Sequence, residues 1–491
     1  RHRFPGPERR MHGSQPVTPV TTDRETVSGG GAALALLVAG TFFMENLDAT
    51  VITPAVPHMA ASFGVQPVDL NTGVSAYMLT LGIFIPVSGW IAERFGARRV
   101  FAFAIALFTL SSLLCGLSQN LPQFIAARIL QGMGGAMMVP VGRLVVLRTT
   151  PKERLITAIA TLTWPALVAP VLGPPLGGLI VDHAVWRWIF YLNIPLGLVA
   201  LAFALRLVPA GDGHGGRSFD WPGFLLTGGA LFLLLSATEF LGRPDIDWLK
   251  AAVAVVAGGG LLIAAVYHLR RTPTPMIDLA TLRTQTFAVT IWGGSLFRMG
   301  VSAVPFLLPL MLQIGFGYDA LQSGMMLMAV FAGNLVMKPM TTGALRRFGF
   351  RRILVVNGII NAAAIAACAA FSPSLPLWLV CLVLFIGGMS RSMQFTAQNT
   401  IAFADIPRKA MTSANTLFST AFQLAMGLGV ALGAVAWRIG ESLAVTGGPA
   451  MPFRIAFLIV ALVALAAIWD SARLESAAGD HVARGTKPKK A

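Results

Sequence analysis

The sequence Arg94-Phe95-Gly96-Ala97-Arg98-Arg99 recurs in the second half of the chain as Arg347-Phe348-Gly349-Phe350-Arg351-Arg352, and this repeat decides the fold. Each copy directly follows a long apolar run. A single basic loop of this kind is explained by the excess of positive charge that cytoplasmic loops of membrane proteins carry. Its recurrence at an equivalent place indicates two homologous halves.

The composition indicates the environment in which the chain folds. Of 491 residues, 55% are hydrophobic and 12% are charged, and the mean hydropathy is +0.71. Soluble chains carry about 25% charged residues, so this composition is typical of a protein with many membrane spans. The 51 Gly and 30 Pro residues suit close-packed and kinked spanning helices.

Fourteen apolar runs are each about long enough to cross a hydrocarbon layer about 30 Å thick at about 1.5 Å per residue. The sequence therefore predicts an all-α polytopic membrane protein with 14 transmembrane helices. The predicted spans are 32–57, 72–93, 100–118, 121–147, 155–181, 187–209, 219–242, 249–268, 285–312, 320–345, 353–372, 376–399, 411–437 and 452–470.

Positive charge is distributed unequally between the loops. With the N-terminus inside, 16 Lys and Arg residues fall in the loops predicted to be cytoplasmic and 5 fall in the loops on the other side. This bias predicts cytoplasmic N- and C-termini. It also accounts for the net charge of +16 by attraction to anionic lipid, without a nucleic-acid partner.

The repeat and the spans together divide the chain into five parts. We expect a cytoplasmic tail at 1–30, a six-helix half at 31–210, a linker with two extra transmembrane helices at 211–283, a second six-helix half at 284–470 and a basic cytoplasmic tail at 471–491. The glycine-rich loop at 211–216 is expected to lead into the linker.

Two acidic residues, Glu45 and Asp48, lie inside the first predicted span on one side of a helix. A carboxylate at this depth costs several kcal/mol unless it is paired, hydrated or protonated, so it indicates a polar pathway. Counting along the helices puts Glu45 and Asp48 about 20 and 24 Å from the inner boundary, and Arg128 of the fourth span about 20 Å from it. The matching depth predicts either a coupled site or a static ion pair that joins the two helices.

Five stretches in the first half form an ordered set of motifs: Leu47–Thr50 with Pro57, Gly89–Arg99, Arg128–Gly135, Gly173–Gly178 and Trp186–Pro195. Together they resemble the signatures of the major facilitator superfamily, and specifically of its fourteen-span drug:proton antiporter branch. One departure is Glu93, which stands where the family usually has Asp. Two further stretches, 134–144 and 312–317, are similar to the MdtD group of bacterial multidrug transporters within that branch.

This resemblance implies a fold and a mode of action. The major facilitator fold has two six-helix halves, here with an inserted two-helix linker. The branch implies export of small organic compounds in exchange for protons by alternating access. It implies no enzymatic activity and no cofactor.

The resemblance also assigns roles to individual residues. It implies that Asp48, Glu45 and Arg128 take part in proton coupling. The loop signature and its copy are expected to gate the cytoplasmic side through Gly89, Glu93, Arg94, Gly96, Arg98, Arg99, Arg347, Gly349, Arg351 and Arg352. The fifth-helix motif contributes Gly173, Pro174, Gly177 and Gly178, which either seal the outer exit against proton leak or let helices approach and bend.

Six residues are candidates for a substrate cavity: Glu45, Arg298, Arg391, Gln394, Trp164 and Phe297. Arg298 and Arg391 either face cargo or bond to polar groups of the protein, whereas Lys338 and Arg143 are expected to snorkel to the membrane boundary. Acidic groups favour cationic cargo and basic groups favour anionic cargo. We expect a cationic or neutral amphipathic compound, with organic anions such as citrate or an iron-citrate chelate as the alternative.

Other classes of function lack their motifs in this sequence. It contains no phosphate-binding loop of Walker type and no output module of a sensor, and a channel would not need the repeated basic loops. The three cysteines lie in apolar runs without metal-ligand spacing. We expect a monomer in the bacterial inner membrane whose partners are substrate, protons and lipid, without nucleic acid, metal or cofactor; the need for a periplasmic adaptor stays open.

Overall fold

The computed structural model describes residues 24–210, 218–242, 247–444 and 448–484. Within these ranges the regular secondary structure is entirely helical. The predicted loop at 211–216, residues 1–23 of the predicted N-terminal tail and residues 485–491 of the basic tail lie outside the described residues.

Fourteen helical stretches among the described residues, some of them built from two consecutive helices, are long enough to cross a membrane. Thirteen also meet the hydropathy expected of a span, and Ala320–Phe348, with 29 residues, completes the set. Numbered in chain order, spans 1–14 are Gly31–Phe63, Thr72–Phe95, Ala97–Leu117, Leu121–Thr149, Lys152–His183, Trp188–Leu207, Trp221–Leu241, Trp248–Arg271, Gln285–Gly315, Ala320–Phe348, Phe350–Cys368, Leu377–Ala404, Arg408–Leu443 and Met451–Ala472. The predicted all-helical polytopic fold is confirmed, with 13 described spans by length and hydropathy and a fourteenth by length.

Proline interrupts the first two spans. Span 1 contains residues 31–51 of the helix Arg24–Val51 and the helix Val56–Phe63, joined by a 3₁₀ turn that contains Pro54. Span 2 consists of Asn71–Phe84 and Ser88–Phe95, joined by a turn that contains Pro86. Proline lacks the N–H that an α-helix needs at an interior position, so the α-helical hydrogen-bond pattern of each span is interrupted at its proline.

Spans 1–6 pack together as an N-terminal half, and spans 9–14 pack together as a C-terminal half. We call the end of the bundle that carries the two repeated loops the basic side. On this side one hydrophobic cluster contains buried residues of both halves, including Leu144 and Leu155 with Phe403 and Met411. At the opposite end, one cluster draws only on the N-terminal half and another only on the C-terminal half. The described core therefore joins the halves on the basic side.

The two repeated loops adopt the same backbone conformation. Gly96 lies between spans 2 and 3 with φ of 84°, and Gly349 lies between spans 10 and 11 with φ of 76°. Residues with a Cβ rarely adopt these positive φ values, so both copies require glycine at the turn. The sequence repeat is thus also a repeat of structure.

The inserted pair is formed by spans 7 and 8. Span 7 packs against span 2 of the N-terminal half and span 13 of the C-terminal half, and span 8 packs on span 7. The Leu235 side chain lies between two glycines: a Cβ built on Gly82 would be 2.6 Å from one of its methyl groups, and a Cβ on Gly427 would be 2.4 Å from the other. Span 7 therefore contacts both halves through the same leucine.

Asp247 begins span 8 with an N-cap. Its carboxylate accepts a hydrogen bond of 3.1 Å from the Lys250 backbone N–H and pairs with the Lys250 ammonium at 2.8 Å. The hydrogen bonds from the Lys250 side chain and backbone lower the pKa of Asp247. This cap satisfies one of the free N–H groups at the start of the helix.

Candidate functional site: a buried carboxylate network beside a charged cavity

Asp48 is buried in a hydrogen-bond network inside the N-terminal half. The Arg128 guanidinium donates to one carboxylate oxygen at 2.6 Å, and both side chains are fully buried. The other oxygen accepts hydrogen bonds from the side-chain amides of Gln131 at 2.9 Å and Asn193 at 2.7 Å. Ser112 accepts from the same two amides at 2.7 and 3.2 Å. Asp48 therefore has three donors, which is typical of an ionised carboxylate.

Arg128 retains unused hydrogen-bonding capacity in this network. Its Nη1 also donates to Gln131 at 2.6 Å, and its guanidinium lies 4.4 Å from the centre of the Tyr77 ring. Its Nε and Nη2 are buried without a hydrogen-bond partner in the described structure. Sequence analysis placed Asp48 and Arg128 at one depth, but it did not identify Gln131, Asn193 or Ser112. The position of Gln131, one helical turn after Arg128, was the available signal.

Glu45 points away from this network into a cavity between the halves. Residues three apart on a helix differ by about 60° around its axis, which is enough to give the two acids different surroundings. The cavity has a volume of about 280 Å³, and its lining includes Phe42, Glu45 and Arg143 of the N-terminal half and Phe331, Lys338, Arg391, Phe395 and Phe422 of the C-terminal half. The Oε2 atom of Glu45 is buried and has no hydrogen-bond partner in the described structure.

Tyr77 connects the two acidic regions. A Cβ built on Gly135 would be 3.2 Å from the Tyr77 hydroxyl oxygen and 3.6 Å from the Glu45 carboxyl carbon. Glycine at this position therefore leaves space in which both polar groups approach span 4. The Tyr77 ring contacts Arg128 and its hydroxyl lies beside Glu45, so one side chain borders both acids.

Basic side chains outnumber acidic ones around the cavity. Among the described lining residues, Arg143, Lys338 and Arg391 are basic and Glu45 is acidic. The Lys338 ammonium donates to Thr163 at 2.7 Å and to Thr396 at 3.0 Å, so it joins span 5 of one half to spans 10 and 12 of the other. The expectation that Lys338 and Arg143 snorkel to the membrane boundary is wrong, because both line the cavity and find hydroxyl or aromatic partners there.

Aromatic rings support the buried arginines. The Arg143 guanidinium lies 5.2 Å from the centre of the Phe418 ring, and the Arg298 guanidinium lies 4.9 Å from the same ring. Arg298 also lies 5.2 Å from Phe422, which lines the cavity, and donates to the Thr290 carbonyl at 3.0 Å. Cation–π contacts of this kind stabilise a desolvated guanidinium by about 2 kcal/mol. The Phe422 ring therefore lies between Arg298 and the cavity.

Besides Arg298, three predicted cavity residues lie outside the lining that the structure describes. Gln394 is buried and joins span 12 to span 11, donating to the Leu354 carbonyl at 3.1 Å and accepting from Asn357 at 3.0 Å. Trp164 is 47% exposed on the outside of the bundle, although its neighbour Thr163 lines the cavity. Phe297 is buried behind Phe395, with ring centres 5.5 Å apart. The depth of these residues follows from their position along the helices, but the direction in which their side chains point does not.

Residues 38–430 match the family model described as Major Facilitator Superfamily. The chain belongs to the major facilitator superfamily. It is therefore a multi-pass membrane transporter and not an enzyme, as the motifs implied. The matched region includes the Asp48 network, the cavity and both repeated loops.

Bacterial members of the superfamily are similar over most of the chain. The protein named "Putative multidrug resistance protein MdtD" from Serratia proteamaculans is 37% identical over 446 residues, which cover 88% of this chain and 91% of that protein. A protein of the same name from Cronobacter sakazakii is also 37% identical, over 81% of this chain and 84% of its own length. The predicted resemblance to this group is confirmed.

Solved structures of other superfamily members share the fold. The proton:xylose symporter XylE aligns with a TM-score of 0.59 over 89% of this chain and 95% of its own, at 14% identity. The human organic anion transporter MFSD10 aligns with a TM-score of 0.59 over 93% of this chain and 100% of its own, also at 14% identity. These likenesses concern the fold alone.

The loop signature of the superfamily meets the other half of the bundle at Gly89. A Cβ built on Gly89 would be 2.2 Å from the Thr416 hydroxyl oxygen of span 13, so the glycine lets the two halves touch. Glu93 lies 3.9 Å from Arg148 of span 4, and Arg148 also donates to the hydroxyl of Thr412 in the C-terminal half. These contacts lie on the basic side, where the halves are joined.

Pro140 of span 4 and Lys152 at the start of span 5 also make contacts between the halves. Lys152 donates to the carbonyl of Ala404, at the end of span 12, and to the Ile406 carbonyl at 3.1 Å. The Pro140 carbonyl accepts a hydrogen bond of 2.8 Å from the Asn415 side chain. Sequence analysis did not identify these residues as part of a gate. Lys152 lies in a basic loop, where its positive charge already had an explanation.

The arginines of the repeated loops make different contacts. Arg98 donates to the Leu205 carbonyl of span 6, within its own half. Arg347 lies 5.4 Å from the ring centre of its neighbour Phe348. Arg94, Arg99, Arg351 and Arg352 are exposed. A gating role for these arginines remains a prediction.

The fifth-helix motif packs against span 1 next to the acidic region. A Cβ on Gly173 would be 2.2 Å from the Thr50 hydroxyl oxygen, and a Cβ on Gly177 would be 2.3 Å from the Val51 carbonyl oxygen. Gly178 has no such neighbour within 4 Å. Pro174 lies inside the helix Leu155–His183. The two contacting glycines allow a close backbone approach between spans 5 and 1.

Proposed function

We propose that this transporter exports a small amphipathic organic compound from the cytoplasm in exchange for protons. The basic side faces the cytoplasm in this proposal, in agreement with the distribution of positive charge. The bacterial relatives support a site in the cytoplasmic membrane. The observation that carries the proposal is Glu45, the acidic residue among the described residues that line the cavity, with one oxygen lacking a hydrogen-bond partner.

The two acids of span 1 take separate parts in this proposal. Glu45 is reached from the cavity, so a proton and a cargo can occupy its surroundings in turn. Asp48 is enclosed by Arg128, Gln131 and Asn193, so a proton reaches it only when that network rearranges. A cationic or neutral cargo that leaves Glu45 when a proton arrives produces the exchange, because the two ligands compete for one carboxylate.

A second candidate cargo is an organic anion, and the charge of the cavity favours it. Three basic groups and one acidic group line the described cavity, and Arg298 lies directly behind its wall. An anion does not compete with a proton for the Glu45 carboxylate, so its export does not require an exchange for protons. Export of an anion would therefore be driven by the inside-negative membrane potential, which supplies about 2.3 kcal/mol per charge per 100 mV.

Proton movement in reconstituted vesicles separates the two candidates. One arm uses a lipophilic cation and the other uses citrate, and internal pH is recorded in both. We expect outward cargo movement to bring protons inward for a cationic or neutral cargo. Cargo-dependent current without proton exchange would support the anion instead. If neither probe moves while the protein is folded, the proposal fails for both classes of cargo.

Three single variants test the cavity in the same vesicles. Glu45→Gln should abolish proton exchange in a cation exporter, whereas Arg391→Gln should leave it working. In an anion exporter, Arg391→Gln should abolish the cargo-dependent current and Glu45→Gln should leave it unchanged. Trp164→Leu is the matched control, because this side chain lies outside the described lining and next to Thr163 within it. Equal loss in all three variants would indicate a general defect and contradict the assignment of this cavity.

A further inference from the structure

Residues 474–484 form a folded segment on the basic side, although the sequence predicts that they belong to a basic cytoplasmic tail at 471–491. Leu474, Val482 and Ala483 are each no more than 2% exposed and belong to the cluster that joins the two halves. The segment ends in the short helix Asp480–Arg484. A polar tail without a structural role does not bury its apolar residues at a junction between two units.

The segment contacts both halves of the transporter. Its terminal helix packs against Lys152–Arg154 and the start of span 5 in the N-terminal half, and against span 10 in the C-terminal half. Separation of the halves on the basic side therefore requires the segment to leave at least one of them.

Its attachment to the C-terminal half is the more specific of the two. The chain reaches the segment from span 14, where the Gln285 side chain donates to the Arg473 carbonyl at 3.0 Å. Gly479 has φ of 74°, and a Cβ built on it would be 2.7 Å from the buried Phe350 ring. Glycine is thus required both by the backbone and by the close approach to Phe350.

The end of span 12 is the point at which the segment and the other half meet. His481 lies 3.2 Å from the Ala404 carbonyl oxygen and 3.7 Å from the Asp405 carboxylate. Lys152 of the N-terminal half donates to the same Ala404 carbonyl. The last carbonyls of a helix lack partners within the helix and attract positive or donating groups. Both contacts are present together when the basic side is closed.

We propose that residues 474–484 are an intramolecular latch that holds the basic side closed and must release the N-terminal half before that side opens. The segment stays on the C-terminal half through Phe350 and Gly479, and it loses Lys152–Arg154 and span 5 as the halves separate. The latch thereby lowers the population of the state open on the basic side and limits how often the cavity is exposed there.

A distance measurement between the halves tests the latch directly. Spin labels are placed on Thr149→Cys and Lys409→Cys, which are exposed on the basic side of the two halves, after Cys115, Cys368 and Cys381 are replaced by Ser. The labelled full-length protein is studied in lipid nanodiscs. Val482→Asp places a carboxylate in the buried face of the latch, so we expect the population with the longer distance to rise about tenfold or more.

Ser476→Asp is the matched control, because it adds the same charge at an exposed position of the same segment. It should leave the distance distribution unchanged. A chain that ends at Arg473 removes the latch without a new buried charge and should reproduce the effect of Val482→Asp. An unchanged distribution in the folded truncated chain would overturn the proposal, as would equal shifts in Val482→Asp and Ser476→Asp.

Discussion

Asp48→Asn should destabilise the protein as well as impair proton coupling, because the substitution removes the counter-charge of a buried arginine. Arg128 is fully buried, and Asp48 accounts for its ion pair. Removal of one partner of a buried pair costs about 3–5 kcal/mol. Asn also carries an NH₂ group that faces donors in either orientation: Arg128 on one side, Gln131 and Asn193 on the other. We therefore expect the upper part of this range.

A double-mutant cycle separates stability from coupling. Asp48→Asn, Arg128→Gln and the double variant are purified in one detergent, and their free energies of unfolding are compared by denaturation. The double variant has no uncompensated buried charge, so it should recover most of the stability that either single variant loses. Transport driven by a pH gradient is then measured in vesicles for all four proteins. A coupling role predicts that the double variant regains stability but not proton-driven transport.

Two outcomes would refute this reasoning. If the double variant regains both stability and proton-driven transport, the pair is a static connection between spans 1 and 4 and carries no proton. If Asp48→Asn alone leaves the free energy of unfolding unchanged, the three donors around the carboxylate do not stabilise its charge. The described network then contributes nothing to the stability of the protein.

Three further predictions concern the gate and the packing of the halves. Gly89→Ala should push the halves apart on the basic side, because the new Cβ would be 2.2 Å from the Thr416 hydroxyl oxygen. A maleimide added from that side should then react faster with a cysteine introduced by Leu144→Cys. The additional substitution Thr416→Ala should reverse most of this increase, and a failure to do so would contradict the contact. Arg98→Gln should raise reaction of the same probe if the loop holds this side closed, and an unchanged rate would remove Arg98 from the gate. Gly388→Ala should lower the unfolding temperature, because its Cβ would be 2.0 Å from the Val330 carbonyl oxygen. Gly324→Ala is the control and should leave the unfolding temperature unchanged, because there is open space around Gly324. Equal effects of the two variants would contradict the packing explanation.

The features that sequence predicted well are those that depend on position along the chain. The number and order of spans follow from hydropathy and length, and the two halves follow from the repeated loops with Gly96 and Gly349 at the same turn. The pairing of Asp48 with Arg128 follows from their depth, since each helical residue advances by about 1.5 Å. None of these predictions needs the arrangement of helices around the bundle.

The features that sequence missed depend on that arrangement. Trp164 and Thr163 are neighbours at nearly equal depth, yet only Thr163 lines the described cavity, because successive residues on a helix differ by about 100° in direction. The position of Lys338 near the inner end of its span predicts snorkelling, whereas its partners in the structure, Thr163 and Thr396, are distant in sequence. The buried residues at 474–484 were missed because their few apolar side chains form no regular pattern.

The packing of Leu235 between two glycines links the inserted pair, spans 7 and 8, to the relative position of the two halves. Leu235 fills a space beside Gly82 in one half and beside Gly427 in the other, so relative movement of the halves must remove it from at least one of them. Each pair of atoms that loses contact forfeits about 0.1–0.2 kcal/mol of dispersion energy. Span 8 packs on span 7, and a mismatch between the apolar length of this pair and the bilayer thickness costs a fraction of a kcal/mol per Å. We therefore expect a thicker or thinner bilayer to change the balance between the two states of this transporter through span 7, without a change in its cavity.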